Sequence, residues 1–169
     1  MYGNLQEHIL LIECVTPKYK LLGEKLNSEL ALAATDEYLI NPFGLTFEEV
    51  TASNLVKVDL EGNILDGSPY SINPAGFTIH SAIHEVRHDA QCVIHLHTKA
   101  TISVASLKGG LQPWSQYAMF SLSSMSYHAY EGLAVNADEK KRLQDDLASN
   151  NHMLLHNHGG LTLGPTVGD

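Results

Sequence analysis

The hydrophobic positions along this chain switch repeatedly between helical and strand spacing. From Pro17 to Ala34, "PKYKLLGEKLNSELALAA" repeats apolar residues at roughly every third or fourth position, which predicts a helix. "EYLINPFG" reads as a strand that stops at Asn41-Pro42, because proline pushes the residue before it into extended geometry. "FEEVTASNLVKVDLEGNIL" predicts a short helical turn, then a strand around Leu55 to Asp59, with Gly62-Asn63 turning the chain into a return strand. "NPAGFTIHSAIHEVRHD" carries Phe77, Ile79, Ile83 and Val86 behind an early Pro74, so a helix is expected from about Ala75 to Arg87. "CVIHLHTKA" follows as a strand, "KATISVASL" as a helix, "GGLQPWS" as a loop, and "AMFSLSS" and "MSYHAYEG" as extended segments. Asn136 is placed to cap a helix over "NADEKKRLQDDLAS", and "HMLLHNHGGLTLG" reads as strand, glycine turn, strand. This alternation, free of repeats and low-complexity segments, predicts a three-layer α/β domain with many antiparallel strands.

Composition narrows the partners. A chain of 169 residues that is 44% hydrophobic can bury one sizeable core, so a single domain over 1–169 is expected. Ten basic residues against 19 acidic give a net charge of −9, with no basic run to neutralise phosphates, which argues against nucleic acid and anionic membrane as partners. No stretch approaches the roughly twenty apolar residues of a membrane span, and "HILLIECV" lacks the charged flank and cleavage pattern of a signal peptide. A soluble cytoplasmic protein is the expectation. Cys14 and Cys92 form neither a disulfide framework nor a CxxC motif and read as reduced packing residues.

Histidine changes the picture, since its ten copies equal all lysines and arginines together. If Val93 to His97 is a strand, His95 and His97 project from the same face and could chelate one ion. Two imidazoles are only half a site: zinc takes four ligands, and a catalytic zinc usually takes three from the protein and leaves one position open. "LLHNHGG" is the next candidate source, because a histidine at a strand end beside a glycine turn can be aimed into a cleft. For a histidine in that place the plainer alternative is a buried imidazole bonded to a carbonyl.

The run from "LINPFG" through "GFTIHSAIHEVRHDAQCVIHLHT", "LQPWSQYAMF", "YHAYEG" and "LLHNHGGLTLG" closely resembles the class II aldolase and adducin head-domain family, over roughly 38–164, with 1–37 divergent. The resemblance implies a three-layer αβα sandwich around a mixed, mainly antiparallel sheet. In the family's enzymes it further implies Zn2+, or another divalent transition metal, on three histidines that match His95, His97 and His158. The implied chemistry is that of a lyase or epimerase on a sugar or sugar phosphate, passing through an enediolate. The implied assembly is a homo-oligomer, a ring of four with sites at subunit interfaces. Tyr117 matches a catalytic tyrosine that reaches a neighbouring site; packing beneath the loop after Pro113 is its alternative.

The sequence also departs from that pattern. The glutamate that the family's aldolases use for proton transfer falls on Gly76. At about 100° per residue, Glu85 lies about half a turn away from Gly76, whereas His80 and His84 lie nearer, at about 40° and 80° but further along the helix. Glycine at this place resembles the adducin-like branch and its bacterial relatives. Gly3-Asn4 only faintly resembles the family's phosphate-binding turn, and "LGPTVGD" ends where family members usually continue into further helices. Two functions are therefore carried forward: a metal-dependent carbohydrate enzyme, and a non-catalytic adducin-like assembly module.

Overall fold

The computed structural model describes residues 10–14 and 37–165. The helix expected over Pro17 to Ala34 lies outside them. The described strands are β1 (Leu10–Cys14), β2 (Glu37–Ile40), β3 (Val56–Asp59), β4 (Cys92–Leu96), β5 (Met125–His128), β6 (His152–Leu155) and β7 (Gly159–Gly164). Interleaved with them are α1 (Pro74–Val86), α2 (Lys99–Ala105), α3 (Gln116–Leu122) and α4 (Ala137–Leu147), with a 3-10 turn at Phe47–Glu49. Each α-helix starts where a short polar side chain accepts an otherwise orphaned N–H. Asn73, Thr98, Ser115 and Asn136 bond the N–H groups of Ala75, Thr101, Ala118 and Asp138, at 3.0–3.1 Å.

Five strands form the main sheet in the order β1-β4-β7-β6-β5. All pairings are antiparallel except β5 with β6. β2 and β3 make a separate antiparallel pair. Along β4, β7 and β6, Val93, Leu161, Leu163, Met153 and Leu155 join Ile79, Ala82 and Ile83 of α1 and Leu143 and Leu147 of α4 in one buried core. α1 and α4 pack on each other across that face. Gly160 has the opposite parity to Leu161 and faces Thr101 of α2, so helices cover both sides of the sheet. The αβα sandwich with a mixed, mainly antiparallel sheet is the observed fold. The β2–β3 pair buries Tyr38, Ile40, Val56 and Val58, and Tyr38 stacks on His84 and Phe77 of α1.

Two expectations are corrected. "AMFSLSS" lies in α3 and the turn after it, not in an extended segment. Ser115 caps this helix, and α3 buries no side chain in its own chain, so its apolar residues carry no inward-facing period to read. The return strand after Gly62 shrinks to one bridge, Val58 to Ile64. There Asp59 gathers the N–H groups of Glu61 and Asn63, at 3.0 and 2.8 Å, and holds the chain in a turn.

Candidate metal centre

Adjacent strands in the sheet bring distant parts of the chain together. β4 ends at Leu96, so His95 is its penultimate residue and His97 follows immediately before the α2 cap, Thr98. β7 lies beside β4, with Leu161 opposite His95 and Gly160 opposite Leu96. β6 turns into β7 through His156, Asn157 and His158, and Leu155 pairs with Gly159 across the turn. Asn157 takes the left-handed conformation that such a tight turn needs, at φ 56°. The His158 N–H bonds back to the Leu155 carbonyl at 3.1 Å. Gly159 sits where a Cβ would lie 2.5 Å from the Leu96 carbonyl oxygen and 2.8 Å from Cδ2 of His97. Only a glycine lets the two strand ends approach this closely.

His95, His97 and His158 converge. Nε2 of His95 lies 2.8 Å from Nε2 of His97 and 3.3 Å from Nε2 of His158. Nδ1 of His95 lies 3.1 Å from the Gly160 carbonyl oxygen, which can only accept, so the ring carries its proton on Nδ1 and turns the lone pair of Nε2 toward the other two rings. His95 is 1% exposed, and burial, followed by the facing imidazoles, pushes it down to about 3. Burial likewise holds His97 below its ordinary value and pushes His158 to about 4. All three are neutral donors at neutral pH. Two nitrogens bonded to one tetrahedral zinc at about 2.0–2.1 Å stand about 3.3 Å apart, so this donor set fits such an ion and leaves a position for substrate or water.

The other singled-out residues fall into three groups. Gly76 is buried in the first turn of α1 and brings no acid to the site. Glu85 faces α4 instead, where its Oε2 accepts from Gln144 at 2.6 Å. His80 and His84 are buried against the sheet and the β2–β3 pair; burial lowers His80 well below its ordinary value and takes His84 to about 4. Tyr117 does not pack beneath the loop: it stands 84% exposed on α3, as Trp114 does just before the helix.

Sequence reasoning missed one charged cluster. His128, buried at the end of β5, has Nδ1 2.7 Å from Oδ2 of Asp146 and Nε2 3.4 Å from Oε1 of the buried Glu139. The available signal was the seven-residue spacing of Glu139 and Asp146, which puts both on one face of α4.

The sandwich matches a known group. The model of the Class II Aldolase and Adducin N-terminal domain matches residues 25–169, and the chain belongs to that family. A Pseudomonas aeruginosa protein named "Putative aldolase class 2 protein" is 61% identical over 135 residues, covering 80% of this chain and 52% of its own. Alpha-adducin of Rattus norvegicus is 43% identical over 152 residues, covering 88% of this chain and 20% of its own. The solved structure of L-fuculose 1-phosphate aldolase from Glaciozyma antarctica superposes with a TM-score of 0.70 at 26% identity, over 93% of this chain and 55% of that one. The chain thus spans about half the length of the bacterial relative and a fifth of the adducin.

Proposed function

We propose that the chain is a metal-binding class II aldolase-type domain in which His95, His97 and His158 hold Zn2+ or another divalent transition metal. The carrying observation is the meeting of three neutral imidazoles, with the His95 proton fixed on the outer nitrogen by Gly160. Such an ion supplies, when bound, a Lewis acid for a small hydroxy-carbonyl or sugar phosphate substrate. On the α1 side the buried His80 faces His95, and burial of the ligands themselves keeps them unprotonated.

The chemistry is that of a carbon–carbon lyase or related epimerase, weakened by Gly76. Loss of a general acid–base group removes a factor of about 10² to 10⁴, so turnover of common sugar phosphates falls far below the roughly 10 s⁻¹ of ordinary enzymes. Tyr117 is the catalytic group this reading assigns to a neighbouring subunit's site, because its exposure on α3 leaves it able to cross an interface. The domain then works as a homo-oligomer, with four subunits in a ring as the working arrangement. Cytoplasmic placement belongs to the same reading. Among the described residues no helix is long and apolar enough to cross a membrane.

A second reading, a non-catalytic adducin-like assembly module, is favoured by Gly76 and by the higher identity to alpha-adducin than to the fuculose phosphate aldolase. Metal analysis of the purified protein, paired with an aldehyde-release screen on sugar phosphates, decides between them. Stoichiometric metal that is lost in His97→Ala but kept in His84→Ala supports the metal centre. Metal with measurable aldehyde release supports the enzyme, and metal with none supports the assembly module. Protein that takes up no divalent ion defeats the metal-dependent reading.

A further inference from the structure

The turn that carries His158 has attachments of its own, and they meet at one carbonyl. α2 ends at Ala105, and the last carbonyls of a helix find no partner within it. The Ala105 carbonyl accepts instead from the β6–β7 turn, from Nδ1 of His156 at 3.0 Å and from the Asn157 N–H at 3.2 Å. Because a carbonyl only accepts, the His156 ring carries its proton on Nδ1. The same ring stacks on Tyr127, with centroids 5.6 Å and planes 21° apart. The Tyr127 hydroxyl in turn accepts the Leu111 N–H at 3.2 Å. The backbone N–H of His156 is donated to the His128 carbonyl at 2.9 Å.

His156 is thus fixed through its ring edge, its ring face and its backbone, yet it stands outside the trio of converging nitrogens. α2 begins just after His97, so the bond from His156 to Ala105 joins the segment that leaves one candidate ligand to the turn that presents another. That turn includes Asn157 at φ 56°, the left-handed conformation that asparagine tolerates better than most non-glycine residues.

We infer that His156 is a positioning residue: its Nδ1–H bond to Ala105 and its stack on Tyr127 lock the turn in the one conformation that aims Nε2 of His158 at His95 and His97. The inference rests on the metal reading proposed above. A ring that touched only solvent could be removed without consequence for the site. Removal of this one frees the turn and lets His158 sample other directions.

The test is titration of Co(II), a spectroscopic stand-in for zinc, into metal-free wild type, His156→Ala, His156→Phe and His156→Asn, with His97→Ala as reference. Alanine removes both attachments, phenylalanine keeps the ring face without the donor, and asparagine keeps a donor near Nδ1 without the ring. Co(II) affinity in His156→Ala is expected to fall about 10-fold, at the lower end of what groups supporting metal ligands contribute, with shifted visible absorption bands. The other two variants fall between. A merely structural role would lower the melting temperature of the metal-free form and leave the bands of the loaded form unchanged. Wild-type affinity and bands in His156→Ala overturn the inference and leave the metal reading standing, whereas wild type that binds no Co(II) overturns both. Should His156→Ala fail to fold, wild-type affinity and bands in both His156→Phe and His156→Asn overturn it equally.

Discussion

At Gly159 there is room for a hydrogen and nothing larger. A methyl group would press on the backbone oxygen of Leu96, which cannot rotate away, and on the His97 ring. Gly159→Ala should therefore cost about 1–3 kcal/mol, read from the urea midpoint, and should weaken metal binding through His97. His84 gives a prediction of a different kind. Burial takes its folded-state value to about 4, against a hydrogen bond to the Ala90 backbone, while in the unfolded chain it titrates near 6.5. Between those values the unfolded chain holds more protons than the folded one, so stability is lost as pH falls through that window. The displacement corresponds to at most about 3 kcal/mol by pH 4. Urea midpoints of the metal-free protein at pH 7 and pH 5 should separate, and His84→Gln should reduce the gap. The HxH pair was legible because strand alternation fixes which residues share a face. In "HNH" the residues alone left the choice open, since His156 and His158 each stand beside Asn157 and only the hydrogen bonds of the turn send one ring to Ala105 and the other to the trio.

At the scale of elements, boundaries followed local chemistry wherever the chain's own core or a cap imposed a pattern. α1 begins at Pro74, the early proline that marks its start, and α4 behind its expected cap Asn136. Replacing Asn136 by alanine frees the Asp138 N–H and should lower stability by about 1 kcal/mol in thermal or urea unfolding. α3 was not legible because nothing in its own chain selects its face. α4 shows the converse: Leu143 and Leu147 face the core at helical spacing, but nothing in its charges alone told that Glu139 and Asp146 close around a histidine from β5. Which charged side chains turn inward depends on tertiary neighbours that periodicity does not contain.

Across the whole molecule, the exposed apolar side chains of Trp114, Tyr117, Met119 and Phe120 gather on one short helix and the loop before it. Apolar surface left in water costs about 25 cal/mol per Å², so covering such a patch by a second copy is favourable. Sedimentation or light scattering at micromolar concentration should report an oligomer, and Phe120→Asp should shift it toward monomer without unfolding the domain. A monodisperse monomer of the unsubstituted chain would remove the basis for Tyr117 acting across an interface. The sheet order has a further consequence. β7 is the last described strand in the sequence but the third of five in space, pairing β4 on one side and β6 on the other. During synthesis, β1 with β4 and β5 with β6 can pair early, but they remain two separate ribbons, each with an open edge, until Gly159–Gly164 emerges and slots between them. Closure of the sheet waits on contacts between residues more than sixty positions apart, as His95 with Leu161, which makes folding slow and leaves the nascent chain sticky until β7 arrives.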